Sequence, residues 1–179
     1  YGESTGGRDS YDSSVTMRAI RSTFLPPFKR AIEAGCLTVM AGYEPIDGLP
    51  CSAHAPLLRR VLKEELGFDG FVVTDWQNVS SMVRRQKIAK DMTEASKIAL
   101  EAGNDMIMTA PEFYEATLGL LARGEVDERL VDDAVLRILS VKFRIGLFDV
   151  PAKVKTLALR DDPTARDAAG IFGHPDHLA

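Results

Sequence analysis

Residues 67–76 have the sequence GFDGFVVTDW, and this segment decides the fold class. The apolar run Phe71–Val73 follows Gly70 and is rich in β-branched residues, which predicts a short buried strand. The strand ends at Asp75, beside Trp76, the single tryptophan of the chain. A carboxylate at a buried strand end costs free energy unless it is paired. We therefore expect Asp75 to have a functional role.

On both sides of this segment, short apolar runs alternate with stretches of helical periodicity. The predicted strands are 37–41, 71–74 and 105–108, and the predicted helices are 20–34, 57–66, 95–102, 111–123 and 127–144. Strands that alternate with helices through short loops are typical of a parallel α/β architecture, either an open doubly wound sheet or a closed barrel. A closed (β/α)8 barrel takes about 250 residues. With 179 residues and three predicted strands, the chain would hold only part of such a barrel, and the open sheet stays possible.

The carboxyl ends of the predicted strands carry the candidate site. In either architecture, catalytic groups gather outside the carboxyl ends of parallel strands. Tyr43 follows the strand 37–41 and Asp75 follows the strand 71–74. Both residues therefore fall at the edge where catalytic groups gather.

Composition excludes several classes of partner. The 179 residues are 45% apolar and 27% charged, with a net charge of −4, whereas a phosphate-binding surface normally has a basic excess. No apolar run approaches the roughly 20 residues that a membrane helix needs. His54, His174 and His177 lack the spacing of metal ligands. We expect no nucleic acid, membrane, metal or cofactor, and the compartment stays open because a signal peptide could lie upstream.

Several motifs together resemble glycoside hydrolase family 3. They are TVMAGY (38–43), DGLP (47–50), the segment 67–76, LPPFK (25–29), ALEAGNDM (99–106) and KFRIGLF (142–148). The resemblance implies that residues 1–149 are the C-terminal half of the family's catalytic (β/α)8 barrel. It also implies that residues 150–179, where helical periodicity is lost, are a linker toward an α/β sandwich domain outside this chain.

The same resemblance implies a retaining exo-β-glycosidase, most simply a β-glucosidase acting on a β-glucoside or oligosaccharide. Asp75 matches the nucleophile that forms a covalent glycosyl-enzyme. Trp76 and Arg8 match residues that contact the sugar. Tyr43 and Met40 match substrate-binding residues that line the subsite around the nucleophile, and the Tyr43 hydroxyl is expected to hydrogen-bond near Asp75. The acid/base would come from the sandwich domain, and the first barrel half also lies outside the chain. The 179 residues alone are therefore expected to be inactive.

Other interpretations of the same residues stay open. Asp75 could cap a helix that begins near Asn78, and Trp76 and Met40 could be core residues. The chain could be a catalytically silent carbohydrate-binding or scaffold remnant, or part of a β-xylosidase or β-N-acetylglucosaminidase. Some family members that release N-acetylglucosamine use a His/Asp pair, and residues 2–9 contain no histidine. A homodimer is also left open.

Overall fold

Two parallel strands form the part of the sheet on which the site depends. The structure, a computed structural model, describes residues 4–8 and 11–148. Strands β1 (Thr38–Ala41) and β4 (Phe71–Thr74) pair in parallel register from Thr38↔Phe71 to Ala41↔Thr74. Strands β2 (Pro45–Ile46) and β3 (Leu49–Pro50) lie between them in the chain. Parallel strands require a crossover connection. The predicted α/β fold, part of a TIM-like barrel, is confirmed.

The chain divides into two units, Tyr1–Val141 and Lys142–Ala179. The strands, the core and the candidate site described below lie in the first unit. The predicted linker 150–179 lies outside the described residues.

Gly70 explains why β4 can begin directly beside β1. A Cβ atom at this position would lie 2.1 Å from the carbonyl oxygen of Leu37, the residue that precedes β1. That carbonyl instead accepts a hydrogen bond from the amide of Phe71 at 3.2 Å. Only glycine fits this approach of two backbones.

The predicted third strand, 105–108, is wrong in extent. It contributes only a parallel bridge between Met106 and Val73. The reason is that a carboxylate oxygen of Asp105 accepts the amide of Val72 at 2.7 Å, while the amides of Asp105 and Met106 both donate to the Val72 carbonyl. A side chain thus replaces a main-chain partner, and the regular ladder does not extend.

A short antiparallel hairpin follows Tyr43 where the sequence predicts an irregular loop. Strands β2 (Pro45–Ile46) and β3 (Leu49–Pro50) pair in the register Pro45↔Pro50. The turn residues Asp47 and Gly48 have φ values of 51° and 79°, as a tight hairpin turn requires.

Helices alternate with the strands along the chain as the periodicity predicts, with some altered bounds. They are α1 (Met17–Ala19), the π-helical turn Ile20–Phe24, α2 (Leu25–Glu33), the π-helical segment Pro56–Glu65, α3 (Asn78–Arg84), α4 (Met92–Ala102), α5 (Glu112–Ala122) and α6 (Glu128–Arg144). The helix predicted from residue 20 begins at Met17. In the π-helical turn, the amide of Leu25 donates to Ile20 O, and Pro26 and Pro27 follow at positions where an amide proton is not needed.

The core lies between β1, β4 and the helices that connect them. One buried cluster contains Ala41, Leu58, Leu62, Phe68, Val72 and Ala102, and a second joins α3 to α4 through Val79, Met82, Ala95 and Ala99. Burial of apolar surface stabilises such clusters by about 25 cal/mol per Å². The packing fixes β4 and α3 relative to β1, and with them the turn that carries Asp75.

A buried ion pair supports the amino-terminal part of β4. Lys63 Nζ lies 2.7 Å from Asp105 Oδ1, and the two side chains are only 6% and 2% exposed. Burial raises the pKa of Asp105 and lowers the pKa of Lys63, and their mutual attraction opposes both shifts. Arg137 of α6 donates to the carbonyl oxygens of Phe68 and Gly70 beside this pair. Charged groups therefore anchor both the sheet and the segment that leads into it.

We predict that stability falls in mild acid because of His54. Its Nδ1 accepts the amide of Leu57 at 3.1 Å at the start of the helical segment Pro56–Glu65. Burial lowers the pKa of His54 below its ordinary value of 6.5, with a partly offsetting attraction from Asp47. The unfolded chain thus takes up a proton at a higher pH than the folded chain. The free energy of unfolding should decrease as the pH falls below about 6.5.

The measurement is urea unfolding between pH 7.5 and 5.5 for the wild type and for His54→Asn, whose amide oxygen can still accept a hydrogen bond. The variant should lose part of the acid-induced decrease. An identical pH dependence in the two proteins would show that His54 does not cause it.

Candidate functional site

Asp75 and Tyr43 meet at the carboxyl ends of β4 and β1, as the sequence predicts. The parallel register pairs Ala41 with Thr74, so the residues just beyond these two positions lie side by side. The Tyr43 hydroxyl lies 3.1 Å from Asp75 Oδ1 and 2.6 Å from the carbonyl oxygen of Trp76. Its single proton is shared between these two acceptors. Tyr43 therefore fixes both the carboxylate and the main chain that follows it.

The two oxygens of the half-buried Asp75 carboxylate have different surroundings. Oδ1 accepts hydrogen bonds from the Tyr43 hydroxyl and from the Trp76 amide. Oδ2 accepts no hydrogen bond from the residues that the structure describes. One oxygen is thus held in place, and the other is available to a ligand.

The interpretation of Asp75 as a helix cap does not fit this geometry. Its carboxylate binds the amide of the next residue, whereas a capping side chain binds the amide of the second or third helical residue. The residue at the N-cap of α3 is Gln77, and it makes no side-chain capping bond.

Trp76 and Met40 are surface residues rather than core residues. Their exposed fractions are 58% and 51%. Met40 lies opposite Val73 in the strand register, on the strand that leads to Tyr43. Large apolar side chains at such exposure gain little from burial, and an aromatic ring beside Asp75 offers a flat apolar surface to a ligand.

The turn after Asp75 is held in an uncommon conformation. Gln77 has a φ of 54°, which costs free energy in a residue other than glycine. Its amide donates to the carbonyl of Met108, and the buried Thr74 hydroxyl accepts the amide of Met108 at 2.9 Å. Hydrogen bonds with Met108 thus stabilise a turn that leaves Trp76 exposed.

Side-chain amides from the α3 region hold the main chain around Tyr43, and sequence reasoning missed them. Asn78 Nδ2 donates to the carbonyl oxygens of Ala41 and Gly42, and Gln86 Nε2 donates to that of Tyr43. The available signal in the sequence was weak: Asn78 is a polar residue at the start of the helix that follows Asp75. Amides in such places are also common as exposed residues, so sequence alone does not reveal their contacts.

Arg8 contacts an aromatic ring in its own segment. Its guanidinium carbon is 5.4 Å from the centroid of the Tyr11 ring, a cation–π contact. Within residues 4–8 and 11–148, Arg8 forms no ion pair or hydrogen bond with Asp75. Its role in binding a sugar stays a prediction.

The described residues contain no group of three or more His, Cys, Asp or Glu side chains that could hold a metal ion. The same residues include no helix with the length and apolar character needed to cross a bilayer.

Comparisons with known proteins point to one family. The model of the glycosyl hydrolase family 3 N-terminal domain matches residues 1–141. The chain is 34% identical over 165 residues to a β-xylosidase from Formosa agariphila, covering 87% of this chain and 23% of the relative. A β-glucosidase involved in saponin metabolism from intestinal bacteria has a structure with a TM-score of 0.79 at 43% identity, covering 83% of this chain and 19% of that one.

A second structure, of β-glucosidase from Listeria innocua in complex with glucose, has a TM-score of 0.80 at 33% identity and covers 83% of this chain and 20% of its own. The chain thus spans about a fifth of the length of the relatives it matches.

Proposed function

Because this chain belongs to glycosyl hydrolase family 3, we propose that it carries the nucleophile of a retaining β-glycosidase and that Asp75 is that nucleophile. The observation that carries the proposal is the asymmetry of its carboxylate. Oδ1 is bound by the Tyr43 hydroxyl and the Trp76 amide, while Oδ2 is unbonded among the described residues. A fixed carboxylate with one available oxygen beside an exposed aromatic ring suits attack on a sugar.

The reaction takes place in two displacements. In the first, Oδ2 of Asp75 attacks the anomeric carbon, the glycosidic bond breaks, and an acid protonates the leaving oxygen. In the second, a water molecule loses a proton to the same acid/base group and attacks the anomeric carbon, and the ester bond to Asp75 breaks. Each displacement inverts the anomeric carbon, so the product retains the configuration of the substrate.

We place the acid/base and part of the barrel outside these 179 residues. Retaining hydrolysis needs a second carboxyl group about 5 to 5.5 Å from the nucleophile, and the relatives are about four times as long as this chain. In this proposal residues 1–149 form the second half of the catalytic barrel, and 150–179 lead to a sandwich domain. The isolated chain is then expected to lack measurable hydrolysis.

For the substrate we propose a terminal β-D-glucosyl residue. Two structural neighbours are described as β-glucosidases, one of them in complex with glucose. The similarity to a β-xylosidase favours a second candidate, a β-xyloside. The ratio of kcat/KM for aryl β-glucoside and aryl β-xyloside separates the two, because a xyloside lacks the C6 hydroxymethyl group that a glucose pocket would contact.

The decisive experiment uses the protein as its host produces it. This protein is labelled covalently with a 2-deoxy-2-fluoro-β-glucoside that carries an activated leaving group. The electronegative fluorine slows both displacements because it destabilises their oxocarbenium-like transition states. The activated leaving group restores the rate of the first displacement only, so the glycosyl-enzyme accumulates. We expect one adduct per active site, on the peptide that contains Asp75. An adduct elsewhere would reject the assignment of Asp75, and no adduct, together with retained glucoside binding, would favour a silent carbohydrate-binding module.

We predict that Tyr43→Phe lowers kcat by about 10-fold to 100-fold, because one donor to the nucleophile is lost. The ring stays, so KM and the unfolding midpoint should change little. Steady-state kinetics on the glucoside and thermal unfolding test this, with Tyr114→Phe on the exposed surface of α5 as the matched control. Equal kcat values in Tyr43→Phe and the wild type would show that the hydroxyl does not assist Asp75.

A further inference from the structure

Three successive carbonyl groups, from the last residue of β1 onward, accept hydrogen bonds from two side-chain amides. Asn78 Nδ2 donates to Ala41 O at 3.1 Å and to Gly42 O at 3.0 Å. Gln86 Nε2 donates to Tyr43 O at 2.9 Å. Asn78 is the first residue of α3, and Gln86 lies two residues beyond its last residue. One helix therefore holds the main chain that leads into Tyr43 from both of its ends.

The physical reason for these contacts is that the chain leaves the sheet after Ala41. Carbonyl groups that lose their sheet partners in a buried place need other donors. Asn78 is 0% exposed, and both protons of its Nδ2 are used. Its Oδ1 accepts the hydroxyl proton of the buried Ser52 at 3.1 Å. The amide is thereby fixed in orientation.

Asn78 also contacts the other side of the site. Its main-chain amide donates to the carbonyl oxygen of Asp75 at 3.2 Å. The side chain and main chain of one residue thus tie the end of β1 to the end of β4. The Tyr43 hydroxyl and Asp75 Oδ1 meet between these two attachments.

The free oxygen of Gln86 is a second, independent observation. Gln86 Oε1 is buried and accepts no hydrogen bond from the described residues. An unpaired buried acceptor costs about 1–3 kcal/mol. An apolar side chain of similar size would avoid this cost, so the residue is better explained by what its Nε2 does at Tyr43.

We propose that Asn78 and Gln86 are positioning residues, which hold the Tyr43 hydroxyl at the distance where it binds Asp75. Neither side chain touches the sugar in this proposal, and both act through Tyr43. The inference rests on the proposed function of Asp75 and deepens it. It assigns a role in catalysis to the α3 region, which otherwise serves only as part of the core.

The test uses Asn78→Ala and Gln86→Met in the protein as its host produces it. Displacement of a catalytic group by about 1 Å can cost about 100-fold in rate. We expect kcat and the rate constant of inactivation by the fluoroglucoside to fall by about 10-fold to 100-fold in Asn78→Ala and by about 3-fold to 10-fold in Gln86→Met. KM should change less than kcat, because sugar contacts stay in place. Gln86 is only half-buried, so Gln86→Met keeps the test informative if Asn78→Ala does not fold.

Arg59→Met is the matched control for a purely structural effect. Arg59 is half-buried like Gln86, and its guanidinium also donates to two carbonyl oxygens, those of Glu101 and Leu100. Neither acceptor belongs to the Ala41–Tyr43 main chain or to a residue that contacts Asn78 or Gln86 in the contacts above. We expect a thermal destabilisation, with kcat within about 2-fold of the wild type.

A double-mutant cycle decides whether the two amides act through Tyr43. Residues that act as one unit give non-additive effects. In a Tyr43→Phe background, Asn78→Ala and Gln86→Met should lower kcat by less than about 2-fold. The positioning role would be overturned if the losses in kcat were fully additive in the double variants, or if both single variants had the wild-type kcat. In either case, labelling of the wild type at Asp75 would still support the proposed function. A wild type that is not labelled at Asp75 would overturn the proposed function and this inference together.

Discussion

Replacement of Asp75 by asparagine is expected to reduce kcat for glucoside hydrolysis by about 10³-fold or more, with little change in stability. The asparagine amide has the shape of the carboxylate. It can keep an oxygen toward the Tyr43 hydroxyl, which lies 3.1 Å from Asp75 Oδ1 in the wild type. It lacks the charge and the nucleophilic oxygen that attack on the anomeric carbon requires. The measurements are kcat for an aryl β-glucoside and the thermal unfolding midpoint.

Asp69→Asn is the matched control, because Asp69 is an exposed acid near the opposite end of β4. It removes the same charge, and its kcat should equal that of the wild type. A second variant, Asp75→Ala, tests the stereochemistry. Added azide can attack the anomeric carbon from the vacated face in a single displacement, and the product should be the α-glycosyl azide. Hydrolysis by Asp75→Asn at the wild-type rate would exclude Asp75 as the nucleophile.

Lys63→Met is expected to lower the free energy of unfolding by about 3–5 kcal/mol, because it leaves the Asp105 carboxylate buried without its partner. The two side chains are 2.7 Å apart and nearly inaccessible. Asp105 also accepts the amide of Val72 in β4, so its displacement would disturb the strand that ends at Asp75. Urea unfolding followed by far-UV circular dichroism measures the change.

Lys97→Met provides the control, since Lys97 and Glu101 form an exposed pair on α4. Exposed pairs contribute about 0–1 kcal/mol, and this variant should unfold almost as the wild type does. The double variant Lys63→Met with Asp105→Leu should regain part of the loss by removing both charges. It should not regain all of it, because the Val72 amide then lacks its acceptor. Equal unfolding midpoints in Lys63→Met and Lys97→Met would contradict the prediction.

The sequence predicted the parallel fold and the meeting of Tyr43 with Asp75 because both follow from local periodicity. Apolar runs of four or five residues set the strands, and parallel direction brings their carboxyl ends together. The third strand was overpredicted because 105–108 has the apolar pattern of a strand, whereas the Asp105 side chain takes the place of a ladder partner. The roles of Trp76, Met40 and Arg8 in sugar binding stay predictions.

The contacts of Asn78 and Gln86 could not be predicted from sequence. Their acceptors lie 36 to 43 residues earlier in the chain, and no periodic pattern records a pairing at that separation. These contacts depend on the packing of α3 against the end of β1, which the sequence of either segment does not specify.

The alternation of strands and helices, and the acid that follows β4, can be derived from sequence alone, because these properties depend on residues within a few positions of each other. Which oxygen of Asp75 is bound, and the pairing of Lys63 with Asp105, depend on how distant segments pack together. These two contacts join residues 32 and 42 positions apart. Such contacts form when the packed core fixes the distance between distant segments, and the hydrophobic periodicity of one segment does not specify that distance.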